Sequence, residues 1–97
     1  MTHYSVIAVT PTNQDWIADY AAATETIVNK HGGKYIARTD SHEYLEGEGS
    51  TVNVRVIIQW PSKEAAIAFM TDPEYIPHLQ ARTAGSDSQH ILIAGIE

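Results

Sequence analysis

Cysteine is absent from this sequence of 97 residues. The chain therefore contains no disulfide, no thiol nucleophile and no thiolate ligand for a metal ion. The absence is typical of proteins that work in a reducing compartment. The candidate chemistry is thereby limited to oxygen and nitrogen side chains.

Basic residues are also scarce. The chain has 6 Lys and Arg against 12 Asp and Glu, which gives a formal net charge of -6. Nucleic acids and anionic membrane surfaces are bound through clustered Lys and Arg, so we expect neither as a partner. The apolar runs are too short to span a bilayer, and residues 1–4 lack the basic start of a secretory signal. We therefore expect a cytoplasmic protein, with residues 1–97 forming a single domain.

Hydrophobic periodicity predicts four strands, at residues 3–10, 34–39, 52–60 and 90–96. Strict alternation within the second strand puts Tyr35 on one side and Arg38 on the other. The polar, acidic residues 40–51 read as the connection of a hairpin between the second and third strands. Residues 84–88 are expected to form a loop before the last strand.

Two helical segments are predicted between the strands. Apolar residues recur at helical spacing from residue 16 to residue 31, and Gly32 ends that helix. Ser62 is the expected cap of a short second helix. Asp72 and Pro73 have the residue types of a cap and a first helical position, so helix is expected to restart there and to end near residue 82.

This order, β-α-β-β-α-β, predicts a ferredoxin-like α+β fold with a four-stranded antiparallel sheet and helices on one face. The first and last strands are apolar on both sides, as Val6 with Ile7 and Ile91 with Leu92 illustrate. A sheet that is apolar on both faces needs a cover on both. We therefore expect a homodimer that forms through the open sheet face. The third strand lacks the aromatic residues of an RNA-recognition motif, which excludes that alternative.

Two arginines suggest an anion-binding pocket. Arg38 and Arg55 lie in neighbouring strands and could share a face of the sheet, where two guanidinium groups would need an anion. Glu46 in the connecting loop is one candidate, and a bound carboxylate or phosphate is another. Tyr20 and Tyr75, on the apolar faces of their helices, would complete such a pocket. The alternatives are an ion-pair network at a dimer interface and ordinary core tyrosines.

The five histidines show no spacing typical of a metal site, so we expect no metal and no cofactor. His78 lies at helical spacing from Tyr75 and Arg82 and could face the same cleft. It is a candidate general base, as is Glu46. No serine-hydrolase or phosphate-binding motif is present.

Several segments together resemble one protein family. They are the run from Trp60 to Ala66, the Asp-Pro-Glu-Tyr segment that ends at Tyr75, Arg82, Tyr20, the run from Gly32 to Arg38, and the Leu-Glu-Gly segment at residues 45–47. This pattern resembles the domain-of-unknown-function-1330 (DUF1330) family, within the dimeric α+β barrel superfamily, across essentially the whole chain.

The resemblance implies a ferredoxin-like protomer, a dimer whose two sheets form a barrel, and a cleft between helices and sheet. It also implies that no activity is established for the family. The positions that match the family's recurrent residues are Tyr20, Arg38, Glu46, Arg55, Ser62, Tyr75 and Arg82. The chain departs from the pattern after Arg38, where Thr39-Asp40 replaces two glycines that are frequent in the family.

Three hypotheses follow. The first is a dimer that binds a small anionic metabolite in a cleft lined by Tyr20, Arg38, Arg55 and Tyr75. The second is a cofactor-independent enzyme, monooxygenase- or isomerase-like, with His78 or Glu46 as base and Arg38 stabilising an oxyanion. This second hypothesis depends on analogy with the wider superfamily. The third is a structural dimer without a ligand.

Overall fold

The computed structural model describes residues 1–49 and 52–96. Outside the described residues lie Ser50 and Thr51, which belong to the predicted hairpin connection, and Glu97, which belongs to the predicted single domain. The elements in chain order are β1 (His3–Pro11), α1 (Ile17–Lys30), β2 (Lys34–Thr39), β3 (Val54–Trp60), α2 (Lys63–Met70), α3 (Ile76–Ala84) and β4 (Ser86–Ala94). None of the described helices is both long and apolar enough to cross a membrane.

The four strands form one antiparallel sheet in the order β2-β3-β1-β4. Three helices pack against one face, because α2 and α3 together stand where the simplest ferredoxin-like fold has one helix. The predicted ferredoxin-like fold class is confirmed. The strand order puts β1 and β3, the strands with the most buried residues, at the centre of the sheet.

The helix boundaries have local causes. Gly32 ends α1 in the left-handed region at φ 77°, a conformation that costs other residues about 1 kcal/mol or more. The Ser62 hydroxyl caps α2 by accepting a hydrogen bond from the backbone N–H of Ala65 at 3.1 Å. Asp72 likewise accepts from the N–H of Glu74 at 2.8 Å, but the residues after it form a turn, and α3 begins only at Ile76. The prediction of helix from Pro73 onward was therefore wrong by three residues.

The core lies between the helices and the sheet. Trp60, Phe69 and Tyr75 are at most 1% exposed, and their rings form a continuous stack. Ring centroids are 5.2 Å apart for Trp60 and Phe69 and 4.0 Å apart for Phe69 and Tyr75. Contacts between such rings add about 0.5–1.5 kcal/mol per pair to the stabilisation from burial.

A β-bulge in β2 overturns the predicted alternation. The pairing with β3 shifts register between Tyr35 and Ala37, which leaves Ile36 as the extra residue. Arg38 therefore pairs with Val56 and lies on the helix-covered face together with Tyr35. Thr39 pairs with Arg55, so Arg55 lies on the open face. The expectation that the two arginines share a face is wrong, because the bulge reverses the alternation after Tyr35.

The ends of two strands also differ from the prediction. β4 begins at Ser86, inside the predicted loop, because its first residues pair with Thr10 and Pro11 at the end of β1. β3 begins at Val54, two residues later than the periodicity indicates. Pairing with a neighbouring strand, which periodicity alone does not report, sets both boundaries.

The face of the sheet opposite the helices is apolar and open. Ile91 and Ile93 of β4 are 54% and 47% exposed. Val6 of β1 pairs with Ile91 on one side and with Ile57 of β3 on the other, so these three side chains share the open face. In the described part of the chain, no helix packs on this face. The apolar surface predicted from the first and last strands is therefore present.

Candidate functional site

A cavity lies between α1 and the helix-covered face of the sheet and has a volume of about 170 Å³. An apolar cavity of similar size, about 150 Å³, takes one benzene-sized molecule. Its walls come from β1, β2, β3, the three helices and the segment before α1, and no residue of β4 lines it. The residues lining this helix–sheet cavity are Ile7, Val9, Pro11, Trp16, Ile17, Tyr20, Ala21, Thr24, Tyr35, Arg38, Val54, Val56, Ile58, Phe69 and Arg82.

Aromatic side chains shape one end of the cavity. Trp16 and Tyr20 meet edge to face with centroids 5.3 Å apart. The indole N–H of Trp16 donates to the carbonyl of Gly85 at 3.0 Å, and the backbone N–H of Thr12 donates to the same carbonyl at 2.8 Å. The segment before α1 is thereby fixed to the end of α3. The sequence pattern shows Trp16 only as the first residue of the apolar stripe of α1.

The two predicted tyrosines are in direct contact. The hydroxyl oxygens of Tyr20 and Tyr75 are 2.8 Å apart. Tyr20 lines the cavity, while Tyr75 is 1% exposed and lies behind it in the core. Burial, followed by the nearby Tyr20, raises the pKa of Tyr75 well above its usual range. The Tyr75 hydroxyl is therefore a hydrogen-bonding group at neutral pH and not a phenolate base.

Arg82 is a buried cation in the cavity wall. It is 3% exposed, and its Nη1 donates to the Ser88 hydroxyl at 2.7 Å. Its Nε has no hydrogen-bond partner, and no carboxylate oxygen of the described residues lies within 4.0 Å of the guanidinium. A buried charge without a counterion costs several kcal/mol or more. Within residues 1–49 and 52–96, the positive charge of Arg82 in the cavity wall thus has no counterion.

A second buried polar group in the wall has no partner. Thr24 of α1 is 2% exposed, and its hydroxyl makes no hydrogen bond within the described part of the chain. In a helix, a threonine hydroxyl ordinarily bonds to a carbonyl one turn earlier or to solvent. The sequence shows Thr24 only as part of the apolar stripe of α1, so nothing in the pattern singled it out.

Arg38 lies where the cavity opens to solvent, since its side chain lines the cavity and is also exposed. Its guanidinium carbon is 4.6 Å from the centre of the Tyr35 ring, a cation–π contact. Burial is the main cause that raises the pKa of Tyr35 to about 12. Asp40, which stands where the family often has glycine, forms no ion pair with Arg38.

Three predicted site residues lie elsewhere. Arg55, on the open face, donates from Nη2 to the Tyr44 hydroxyl at 2.7 Å. Glu46 is exposed in the β2–β3 connection and forms no ion pair with either arginine among the described residues. His78 does not line the cavity. Tyr20, Arg38 and Arg82 thus line the cavity and Tyr75 lies directly behind it, whereas the other predicted residues lie elsewhere. This corrects the prediction that all of them form a single cluster.

A hydrogen-bond network near Arg82 lies outside the cavity lining. The Trp60 indole N–H donates to the Ser5 hydroxyl oxygen at 2.8 Å, and this oxygen is 2.7 Å from Nε2 of His90. Trp60 can only donate, so the Ser5 oxygen accepts from it, while the Ser5 hydroxyl and the neutral His90 ring share a second hydrogen bond in which either group can be the donor. Burial and the nearby Arg82 lower the pKa of His90 to about 4. His90 is therefore neutral at pH 7.

Among residues 1–49 and 52–96, no three His, Asp or Glu side chains are placed together to hold a metal ion. The ion pairs of the described residues, all outside the cavity, are centred on Asp72 and Lys30. The Asp72 carboxylate accepts from Lys30 Nζ at 2.9 Å and lies 2.7 Å from His31 Nε2. This group joins the end of α1 to the turn before α3 and reads as a structural link.

Residues 2–96 match the family described as domain of unknown function (DUF1330). The chain belongs to the DUF1330 family. The resemblance seen in the sequence is thereby confirmed. A comparison with curated proteins gave no match.

Solved structures share the fold of this DUF1330 chain. A protein of unknown function from Rhodopseudomonas palustris superposes with a TM-score of 0.82 at 18% identity, over 99% of this chain and 83% of that one. A dimeric ferredoxin-like protein of unknown function from Jannaschia sp. CCS1 gives a TM-score of 0.80 at 11% identity, over 98% and 100%. SnoaB, a cofactor-independent oxygenase from Streptomyces nogalater, gives 0.60 at 22% identity, over 99% and 92%. At these identities the likeness concerns the fold.

Proposed function

We propose that this DUF1330 protein is a homodimer that binds a small anionic molecule in the helix–sheet cavity. The observation that carries the ligand proposal is Arg82, which is buried in the cavity wall without a carboxylate partner in the described residues. A bound anion would remove the cost of that unpaired charge. Tyr20 completes the wall beside it, with Tyr75 hydrogen-bonded to Tyr20 from behind, and Arg38 at the opening would attract anions from solvent.

A thermal-shift screen against organic acids and phosphates tests this ligand proposal. An anion that binds only the folded state must raise Tm. The shift is expected to disappear in Arg82→Gln and to persist in Arg55→Gln, because Arg55 lies on the open face away from the cavity. If no anion raises Tm, or if both variants respond alike, the cavity is not an anion site.

The dimer proposal depends on the open sheet face. Ile91 and Ile93 are about half exposed, and Val6 and Ile57 lie beside them on the same face. A second copy packed sheet against sheet would cover this surface. The Jannaschia relative of the same fold, described as dimeric, supports this arrangement.

Size-exclusion chromatography with light scattering measures the oligomeric state. The wild type is expected at twice the chain mass at micromolar concentration, and Ile91→Lys is expected at the chain mass, since lysine would put a charge into the buried interface. Ile67→Lys is the matched control, because Ile67 is 48% exposed on α2, on the helix side. A monomeric wild type contradicts the proposal.

The enzyme alternative has less support from the geometry, because neither candidate base, His78 or Glu46, lines the cavity. The resemblance to SnoaB, an oxygenase that needs no cofactor, keeps it as the second candidate function. Chemical conversion of a molecule found in the thermal-shift screen, if this activity is lost in Arg82→Gln, would favour the enzyme alternative.

We further propose a cytoplasmic location and a single folded unit. The cysteine-free, acidic composition supports the location, and the length of the chain supports the single unit.

A further inference from the structure

We propose that the ligand of the helix–sheet cavity is a monocarboxylate with an apolar body about the size of one six-membered ring. Its carboxylate would be held by the Nε–H of Arg82 and the hydroxyl of Thr24, two buried groups that have no hydrogen-bond partner in the described part of the chain. The inference depends on the proposed function, since it names the chemical class of the anion that the cavity takes.

The charge of the cavity matches one negative charge. Arg82 is the buried cation in the wall, and no carboxylate of the described residues lies within 4.0 Å of it. Arg38 at the opening is exposed and therefore already solvated. A dianion such as phosphate would bring a second charge into a low-dielectric site with nothing buried to balance it. A monoanion leaves the buried site neutral.

The unpartnered donors match a carboxylate. Arg82 uses Nη1 for Ser88, and its Nε–H has no acceptor among the described residues. Thr24 presents a hydroxyl that can donate to an anion. A carboxylate has two oxygens that accept several hydrogen bonds, and charge-assisted bonds of this kind are about twice as strong as neutral ones. One small group would thus satisfy both buried polar atoms.

The remaining walls select the body of the ligand. Ile7, Val56, Ile58 and Phe69 are apolar and buried, and the Tyr20 ring lies beside Arg82, whose guanidinium carbon is 6.0 Å from the ring centre. These walls offer no hydrogen bonds to a polyhydroxylated molecule such as a sugar acid. A volume of about 170 Å³ holds one ring and is too small for two fused rings with a carboxylate.

Binding to the wild-type protein is measured by isothermal titration calorimetry with a matched set of probes. Benzoate and cyclohexanecarboxylate are the expected ligands. Benzamide tests the charge, inorganic phosphate and terephthalate test for a second charge, and 2-naphthoate tests the size. Benzoate is expected to bind at least tenfold more tightly than each of these four probes.

The protein variants locate the carboxylate. Thr24→Val keeps the shape of the side chain and removes the hydroxyl, so it is expected to weaken benzoate binding about fivefold, as the loss of one hydrogen bond does. Arg82→Gln is expected to abolish binding. Arg55→Gln is the control and should bind like the wild type. If Arg82→Gln fails to fold, Thr24→Val and the comparison of benzoate with benzamide still decide the assignment.

The outcomes separate this inference from the function on which it depends. If phosphate or terephthalate binds more tightly than benzoate in an Arg82-dependent way, the cavity binds anions but the monocarboxylate class is wrong. If benzamide matches benzoate, or Thr24→Val changes nothing, the placement of the carboxylate is wrong. If no probe and no other anion binds, both the inference and the proposed ligand-binding function fall.

Discussion

Replacing Ser5 with alanine is expected to destabilise the protein strongly, although the change removes a single oxygen atom. Ser5 is completely buried, and its hydroxyl joins the Trp60 indole N–H at 2.8 Å to Nε2 of His90 at 2.7 Å. In the alanine variant both ring nitrogens lose this partner. Trp60 has no exposed surface, so solvent cannot replace the missing acceptor there.

The size of the effect follows from the burial of the groups left behind. A buried polar group that loses its partner costs about 1–3 kcal/mol. His90 is only partly buried and regains some solvation, so the two groups together give about 2–4 kcal/mol. Each 1 kcal/mol lowers Tm by about 4–8 °C in a domain of this size, so even the lower figure predicts a fall of about 8–16 °C.

Urea unfolding of the wild type and of Ser5→Ala gives the difference in the free energy of unfolding directly. Both proteins are measured at the same concentration, because the stability of a dimer depends on protein concentration. Ser41→Ala is the control, since Ser41 is exposed, and it should change stability by less than about 0.5 kcal/mol. A Ser5→Ala protein as stable as this control would refute the idea that the network stabilises the fold.

Three further variants test other parts of the structure. The pKa of His90 is lowered to about 4, so the unfolded chain takes up this proton first as pH falls. The wild type should therefore lose more stability than His90→Gln between pH 6.5 and 4, and parallel curves would contradict this. Hydrogen bonds from Lys30 and His31 hold the pKa of Asp72 well below its usual 3.8. Asp72→Asn should thus lower Tm at pH 7, and the Tm values of the two proteins should converge as the pH falls below 3.8. A constant difference in Tm down to pH 2 would argue against the lowered pKa. A Cβ at Gly33 would lie 2.5 Å from Cζ3 of Trp60, so Gly33→Ala should cost about 1–3 kcal/mol in urea unfolding, unless the backbone moves aside and stability stays unchanged.

The predicted element order needed only local information, because helical and strand periodicity and caps act over a few residues. The stripe of α1 predicted that Tyr20 faces inward, and the cap at Ser62 is where the sequence indicated it. The open apolar face also follows from alternation in β1 and β4. In the Asp72 turn the local signal was weaker, and α3 begins three residues later than Pro73 suggested.

The composition of the site was decided by contacts between residues far apart in the chain. The bulge at Ile36 exists only in the pairing of β2 with β3, and it moves Arg38 into the cavity while Arg55 stays on the open face. Whether a buried polar atom has a partner is likewise a property of the whole packing, so no sequence pattern marked Thr24 or the Nε of Arg82. The sequence by itself determined the fold, the net charge and the apolar sheet face, because these depend on residue types and local spacing. Only the tertiary structure decided which side chains share the cavity, because register and hydrogen-bond partners are set between elements and not within them.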